Sequence, residues 1–256
     1  MEKHMKFSMK QGVAAGVTAL AMAWGVQAQA ATVNLVYDRP SFGDFVTVNT
    51  RINNGSQTGS LTGAFDMSMS TNNAANASNA AATTAQFGVA GSFIAWCVEL
   101  TQTLVTPQSY SVSWASNQSW YGNVQTLISV AYGAVLTAGT NVMSAAFQLA
   151  LWELVTGTPD YSLSARDSNG FRASTNNTSG SSDAVNQAQT WLNQVRTGPA
   201  RTSDYHIVLF QSGQSQDLIA LVPTPLPGAA LLFASALGLG GLARRARARK
   251  AEAATA

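Results

Sequence analysis

The first 30 residues constrain the fold most, because they take themselves out of it. Lys3, Lys6 and Lys10 give a basic start, residues 12–26 an apolar block, and Ala28-Gln29-Ala30 a small-residue cleavage site. This is the layout of a secretory signal peptide, which the mature protein lacks. The opposite end is equally ordered. Pro223, Pro225 and Pro227 form a proline knuckle, residues 228–243 are apolar, and Arg244, Arg245, Arg247, Arg249 and Lys250 form a basic cluster. The apolar segment has no polar face and is slightly shorter than the ~20 residues that span a bilayer core. It reads as one transmembrane helix with its basic end cytoplasmic. The expected division is 1–30 signal peptide, 31–222 extracellular domain, 223–250 sorting segment and 251–256 a short tail.

What remains is one domain in size. The whole-chain net charge is +2, but it is unevenly placed. Of the 14 basic residues, three lie in the leader and five in the tail, leaving six. Of the 12 acidic residues, Glu2 and Glu252 lie outside, leaving ten, so the domain carries a net charge near −4. No basic patch is present to neutralise phosphates, which argues against a nucleic-acid partner. The domain's basic residues are all arginine; it has no lysine, one histidine (His206) and one cysteine (Cys97). An intrachain disulfide is excluded, and one His with one Cys cannot supply four zinc ligands. No cofactor is expected.

Alternating stretches at 33–37, 44–49 and 110–115 predict strands, as do 64–69, 205–210 and 218–222. Residues 93–100 are apolar almost throughout and predict a central strand buried on both faces. Residues 52–85, around the strand at 64–69, and 160–182 read as long polar loops. Helical periodicity covers 124–135, 144–155 and 183–196. Gly157 and Pro159 stop the second helix, Gly198 and Pro199 the third. The order β, α, β predicts an α+β domain. We expect a mainly antiparallel sheet or sandwich with an inserted subdomain of about three helices, flanked by the signal peptide and the transmembrane helix.

Two residues stand out chemically. Cys97 sits in SFIAWCVEL, and Gln148 sits in AAFQLALWEL, where Phe147, Leu149, Leu151 and Trp152 leave it little access to water. A buried amide left without a partner costs about 1–3 kcal/mol. The pair admits a structural reading, with Cys97 a small buried hydrophobe and Gln148 bonded to backbone. It also admits a cysteine hydrolase, for which His206 is the sole available base and no orienting residue is identifiable. Glu99, two residues after Cys97, is a candidate base or gate for the thiol, or an exposed residue at the strand end. Trp114, Trp120 and Tyr121 are candidates for stacking on sugars or for the core.

The tail resembles the PEP-CTERM sorting signal of Gram-negative bacteria in its VPLP-type variant, although this chain has Pro-Thr-Pro and Pro-Leu-Pro rather than Pro-Glu-Pro. That resemblance implies an exosortase-type processing enzyme as a partner. It also implies export across the inner membrane, membrane anchoring before processing, and delivery to the cell surface or extracellular matrix. Trp96-Cys97 followed by Gln148-Leu149-Ala150-Leu151-Trp152 resembles the two halves of the thioester-domain motif of bacterial surface adhesins, with Phe147 where those proteins usually have Thr. It implies an internal Cys97–Gln148 thioester in a binding or adhesion protein rather than an enzyme. Phe93, Trp96, Glu99, Phe147 and Trp152 would surround the bond. An amine or hydroxyl on an extracellular polysaccharide or surface protein would be its target. The competing expectation is a non-covalent structural or polysaccharide-binding component of a biofilm matrix.

Overall fold

Six strands, β1 (Ala31–Pro40), β4 (Phe65–Met69), β5 (Ser92–Cys97), β9 (Leu218–Pro223), β8 (Tyr205–Gln211) and β6 (Gln108–Trp114), close in that order into an antiparallel barrel, with β6 pairing back onto β1. The computed structural model describes residues 31–224, apart from 54, 157–158 and 165–169. Ala28 and Ala30, Pro225 and Pro227, Arg244 and Arg245, and the expected signal peptide and membrane helix lie outside the described residues. Among the described residues, no helix is long and apolar enough to cross a membrane.

Strand β1 (Ala31–Pro40) makes closure work. Its first half pairs with β6 (Gln108–Trp114) and its second half with β4 (Phe65–Met69), and the register shifts between Tyr37 and Arg39. A bulge of this kind bends a strand and sharpens its twist. Alternation puts Val33 and Leu35 of β1 inside, with Tyr110 and Val112 of β6. The remaining staves are β5 (Ser92–Cys97), β8 (Tyr205–Gln211) and β9 (Leu218–Pro223). Pro223 is the last residue of β9, opposite Tyr205. The expected sandwich is therefore corrected to a barrel: alternation specifies which face of a strand is buried but not which strands pair.

A second sheet orders β3–β2–β7, from β2 (Val46–Ile52), β3 (Thr58–Thr62) and β7 (Phe171–Ser174). Strand β3 and helix α1 (Ala74–Phe87) replace most of the expected polar loop at 52–85. Asn73 caps α1 by accepting from the Asn76 N–H, and Gly88 ends it in the left-handed conformation. Only Ala80, Thr83 and Phe87 of α1 are buried, so the helix presents almost no apolar stripe. Its alanines nevertheless favour helix intrinsically. Strand β7 likewise corrects the expected loop at 160–182.

The first expected helix runs as α2 (Tyr121–Leu127), one π-helical turn (Ile128–Tyr132) and α3 (Gly133–Ala138). Helix α4 (Asn141–Val155) is the centre of the domain: every residue from 144 to 154 is buried. Helix α5 (Ser181–Thr197) packs on it through Ala184, Ala188, Trp191, Leu192 and Val195. Asp183 in its first turn and Arg196 in its last match the helix dipole.

Candidate functional site

Strand β5 is short of a partner where it ends. Its pairing with β4 stops at Phe65↔Ala95, two residues before Cys97, while on the other side Cys97 lies opposite Leu218 of β9. The Gln148 carboxamide, reaching from α4, takes the place of the missing strand. Its Oε1 accepts from the Cys97 N–H at 3.0 Å, and its Nε2 donates to the Cys97 carbonyl at 2.7 Å. Gln148 has no exposed surface, so these two bonds satisfy an amide that would otherwise be costly to bury.

The thiol is held from the opposite direction. Cys97 Sγ–H donates to Gln216 Oε1 at 2.8 Å, and Gln216 Nε2 donates to the Glu99 carbonyl at 3.1 Å. The turn carrying Gln216 is pinned by Ser215, whose Oγ accepts from the Val105 N–H and from the Tyr110 hydroxyl, each at 2.8 Å. Burial, and secondarily the charge of Glu99, push the Cys97 thiol far above its ordinary range. The resting sulfur is therefore protonated near neutral pH. A pKa raised by burial is expected where the thiolate has no cation beside it.

Trp96 and Phe147 meet at 4.6 Å between ring centroids, and Tyr132 packs against both. Trp96 and Phe147 are the chain neighbours of Cys97 and Gln148, and all three rings are buried. Trp152 lies one helical turn beyond Gln148 on the same face and packs on Phe171 at 5.7 Å. It walls a cavity of about 340 Å³ that reaches Cys97 and Gln216. Phe45, Leu61, Phe65, Leu100 and Leu104 form its apolar sides.

One expected neighbour is elsewhere, and a second is near the thiol without pointing at it along the strand. Phe93 stacks on Phe210 at 5.2 Å, with ring planes 14° apart, four residues back along β5. Glu99 lies beyond the end of the strand, so strand alternation does not direct it at the thiol. It is half-buried, and its carboxylate accepts from the Thr101 hydroxyl and the Gln102 amide. His206 is also remote. It meets Trp114 edge to face at 5.4 Å, opposite Val222, whereas Cys97 faces Leu218. Four residues of β9 separate those positions, about 13 Å of strand. The one histidine among the described residues is therefore out of reach of the thiol.

Gln216 and the wall residues of β3 and β4 were not legible as site residues. Gln216 lies in QSGQSQD, where three glutamines stand in one polar turn with nothing to distinguish them. Glu153 is a further buried group, 2 % exposed. Its Oε1 accepts from the N–H groups of Asp160 and Tyr161 at 3.0 and 2.9 Å. Burial and the nearby Asp160 push its pKa up to about 8, against the opposing pull of the Tyr161 and Asp160 N–H groups. Among the described residues, no group of three or more His, Cys, Asp or Glu side chains gathers as a metal site.

No protein-family model matches the chain, and no curated protein matches it. Solved structures similar to it include the following two. One is the N-terminal thioester domain of a surface protein from Clostridium perfringens: 14% identity, 62% of this chain and 89% of that one, TM-score 0.35. The other is the N-terminal domain of the Streptococcus pyogenes pilus tip adhesin Cpa: 14% identity, 74% of this chain and 99% of that one, TM-score 0.39.

Proposed function

We propose that this domain is an exported, surface-directed adhesion protein that forms an internal thioester between Cys97 and Gln148 and uses it to attach covalently to a partner. The observation that supports this reading is the placement of the amide: both its polar atoms are bonded to the backbone of the residue that carries the sulfur. In bond formation, Sγ attacks Gln148 Cδ and the C–Nε2 bond breaks. The thiol proton leaves with Nε2 as ammonia, so atoms and charge balance. The Cys97 N–H already donates to Oε1, the atom on which negative charge develops, and a preset donor of this kind stabilises an oxyanion. The buried aromatic layer of Trp96, Phe147 and Tyr132 keeps water from the stored electrophile.

Partner attack then opens the bond, acylates the nucleophile onto Gln148 and returns the Cys97 thiol. The lysine-free domain offers no side-chain amine to its own copies. The signal peptide and the PEP-CTERM-like tail support export, exosortase processing and a surface or matrix location. The reading is tested with isotope-labelled methylamine: label recovered on the peptide containing Gln148, and absent from Cys97→Ala, is the expected result. Label spread over several glutamines, or none, contradicts it.

A non-covalent reading has one observation of its own. Trp114, 37 % exposed, lines a second cavity of about 310 Å³ with Ser116, Tyr121, His206 and Ile207. Aromatic faces beside polar groups suit a saccharide ring, and Trp114→Ala would then weaken retention on an extracellular polysaccharide.

A further inference from the structure

The small sheet sets two arginines face to face. Alternation along β2 turns Val48 and Thr50 inward and Asn49 and Arg51 outward. Along β7 it turns Phe171 and Ala173 inward and Arg172 and Ser174 outward. The β2–β7 register then puts Arg51 directly opposite Arg172, and Asn49 opposite Ser174. Side chains in such a pair start about 4.5–5.5 Å apart, where like charges destabilise a sheet. Two of the domain's six arginines meet in this way, in a domain whose net charge is negative.

Protein groups do not relieve the repulsion at Arg51. Its side chain makes no hydrogen bond or ion pair with the described residues, and its Nε–H is buried without an acceptor. Both arginines line one cavity of about 410 Å³, a volume within the range of small-ligand sites. Asn49, Ser164 and Ser174 add neutral polar groups to its walls and Leu163 an apolar one. None of the described residues that line it is acidic. It shares no lining residue with the cavity at Cys97.

We propose that this cavity binds one carboxylate of an acidic saccharide, of the kind a uronic acid residue carries. Arg51 supplies the unpaired charge, and Arg172 raises the positive potential beside it. A carboxylate placed there turns a like-charge repulsion into two attractions, and its two oxygens match the planar fork of a guanidinium. The amide of Asn49 and the hydroxyls of Ser164 and Ser174 both donate and accept, as ring hydroxyls require. Leu163 suits the apolar side of the ring. Two guanidinium groups are too few to hold a nucleic-acid backbone, whose affinity grows with the number of phosphates neutralised. Such a site holds a matrix polysaccharide whether or not the Cys97–Gln148 bond forms.

The test uses the exported, processed protein and trigalacturonate, with maltotriose as the neutral trimer, in isothermal titration calorimetry. The expected result is one trigalacturonate bound per chain, no heat from maltotriose, and an affinity that falls as salt is raised. Arg51→Gln is expected to weaken binding by about tenfold or more, the size of one charge-assisted hydrogen bond. Arg172→Gln carries the same expectation and decides the matter should Arg51→Gln unfold. Arg201→Gln removes the same charge at an exposed position elsewhere and should leave the affinity unchanged. Absence of trigalacturonate binding, or equal binding of maltotriose, overturns the proposal. So does a loss in Arg201→Gln equal to that in Arg51→Gln, which marks general charge attraction. Displacement by inorganic sulfate as readily as by galacturonate also overturns it, because the site then selects a free anion and not a saccharide.

Discussion

Gln148 is bonded through both its amide atoms to one residue, Cys97, which lies 51 positions earlier in the chain. The amide completes the end of β5 where β4 does not reach, so it is a structural tie before it is a reactant. Removing it leaves a buried N–H and a buried carbonyl unmatched, at about 1–3 kcal/mol each. In a Cys97→Ala background, where no thioester can form, adding Gln148→Ala is expected to lower stability by about 2–5 kcal/mol in urea unfolding. A loss under about 1 kcal/mol would show that the tie is not formed in solution.

Phe147, the residue before Gln148, is a core residue. It packs on Trp96 and on Tyr132. Phe147→Ala is expected to cost about 3–5 kcal/mol, as large aromatic truncations in cores do. Thermal unfolding measures it, and a change within about 0.5 kcal/mol would contradict the packing described.

The thiol released by methylamine should remain hard to ionise, because burial rather than a removable partner holds its pKa up. Alkylation by iodoacetamide is expected to run at least about a hundredfold slower than at an exposed cysteine, since only the thiolate reacts. Its rate should keep climbing with pH beyond the ordinary thiol value of about 8.5. A plateau near that value would contradict the buried site.

Glu153 gives a pH signature independent of the thioester. Its folded pKa is raised, to about 8. Between the ordinary carboxylate range and that value the native state keeps a proton that the unfolded chain has released. The contribution to stability is therefore full below about pH 4, declines as pH rises, and is lost above about pH 8. Glu153→Gln keeps an acceptor for Asp160 and Tyr161 but cannot titrate. Its stability should fall less than wild type between pH 5 and pH 8, by roughly a few kcal/mol. Identical slopes would contradict the assignment.

Much of this was legible from residue order. Val33 and Leu35 announced β1 by alternation, and the apolar neighbours of Gln148 announced its burial. The helix stops at Gly198 and Pro199 were equally plain. Three features were not legible, for physical reasons. Helix α1 rests on alanine propensity and an Asn73 cap, with almost no apolar face for periodicity to report. Barrel closure depends on a register shift between Tyr37 and Arg39, and pairing partners leave no mark in a single strand's alternation. Gln216 acts through position in a turn, and its residue type is shared by its neighbours Gln211 and Gln214. Phe93 shows the reverse error: closeness in sequence to Cys97 did not bring it to the site, because four residues of extended strand carry it onto Phe210.

Covalent attachment depends on whether the C–S bond exists, and the intact mass of the purified mature protein measures that directly. A thioester removes one ammonia, so the mass should lie about 17 Da below that of the sequence. Cys97→Ala and Gln148→Ala should each show their full sequence mass. Methylamine should raise the wild-type mass by about 31 Da and free one thiol. A wild-type mass equal to its sequence, with a thiol present before any amine is added, would contradict the thioester.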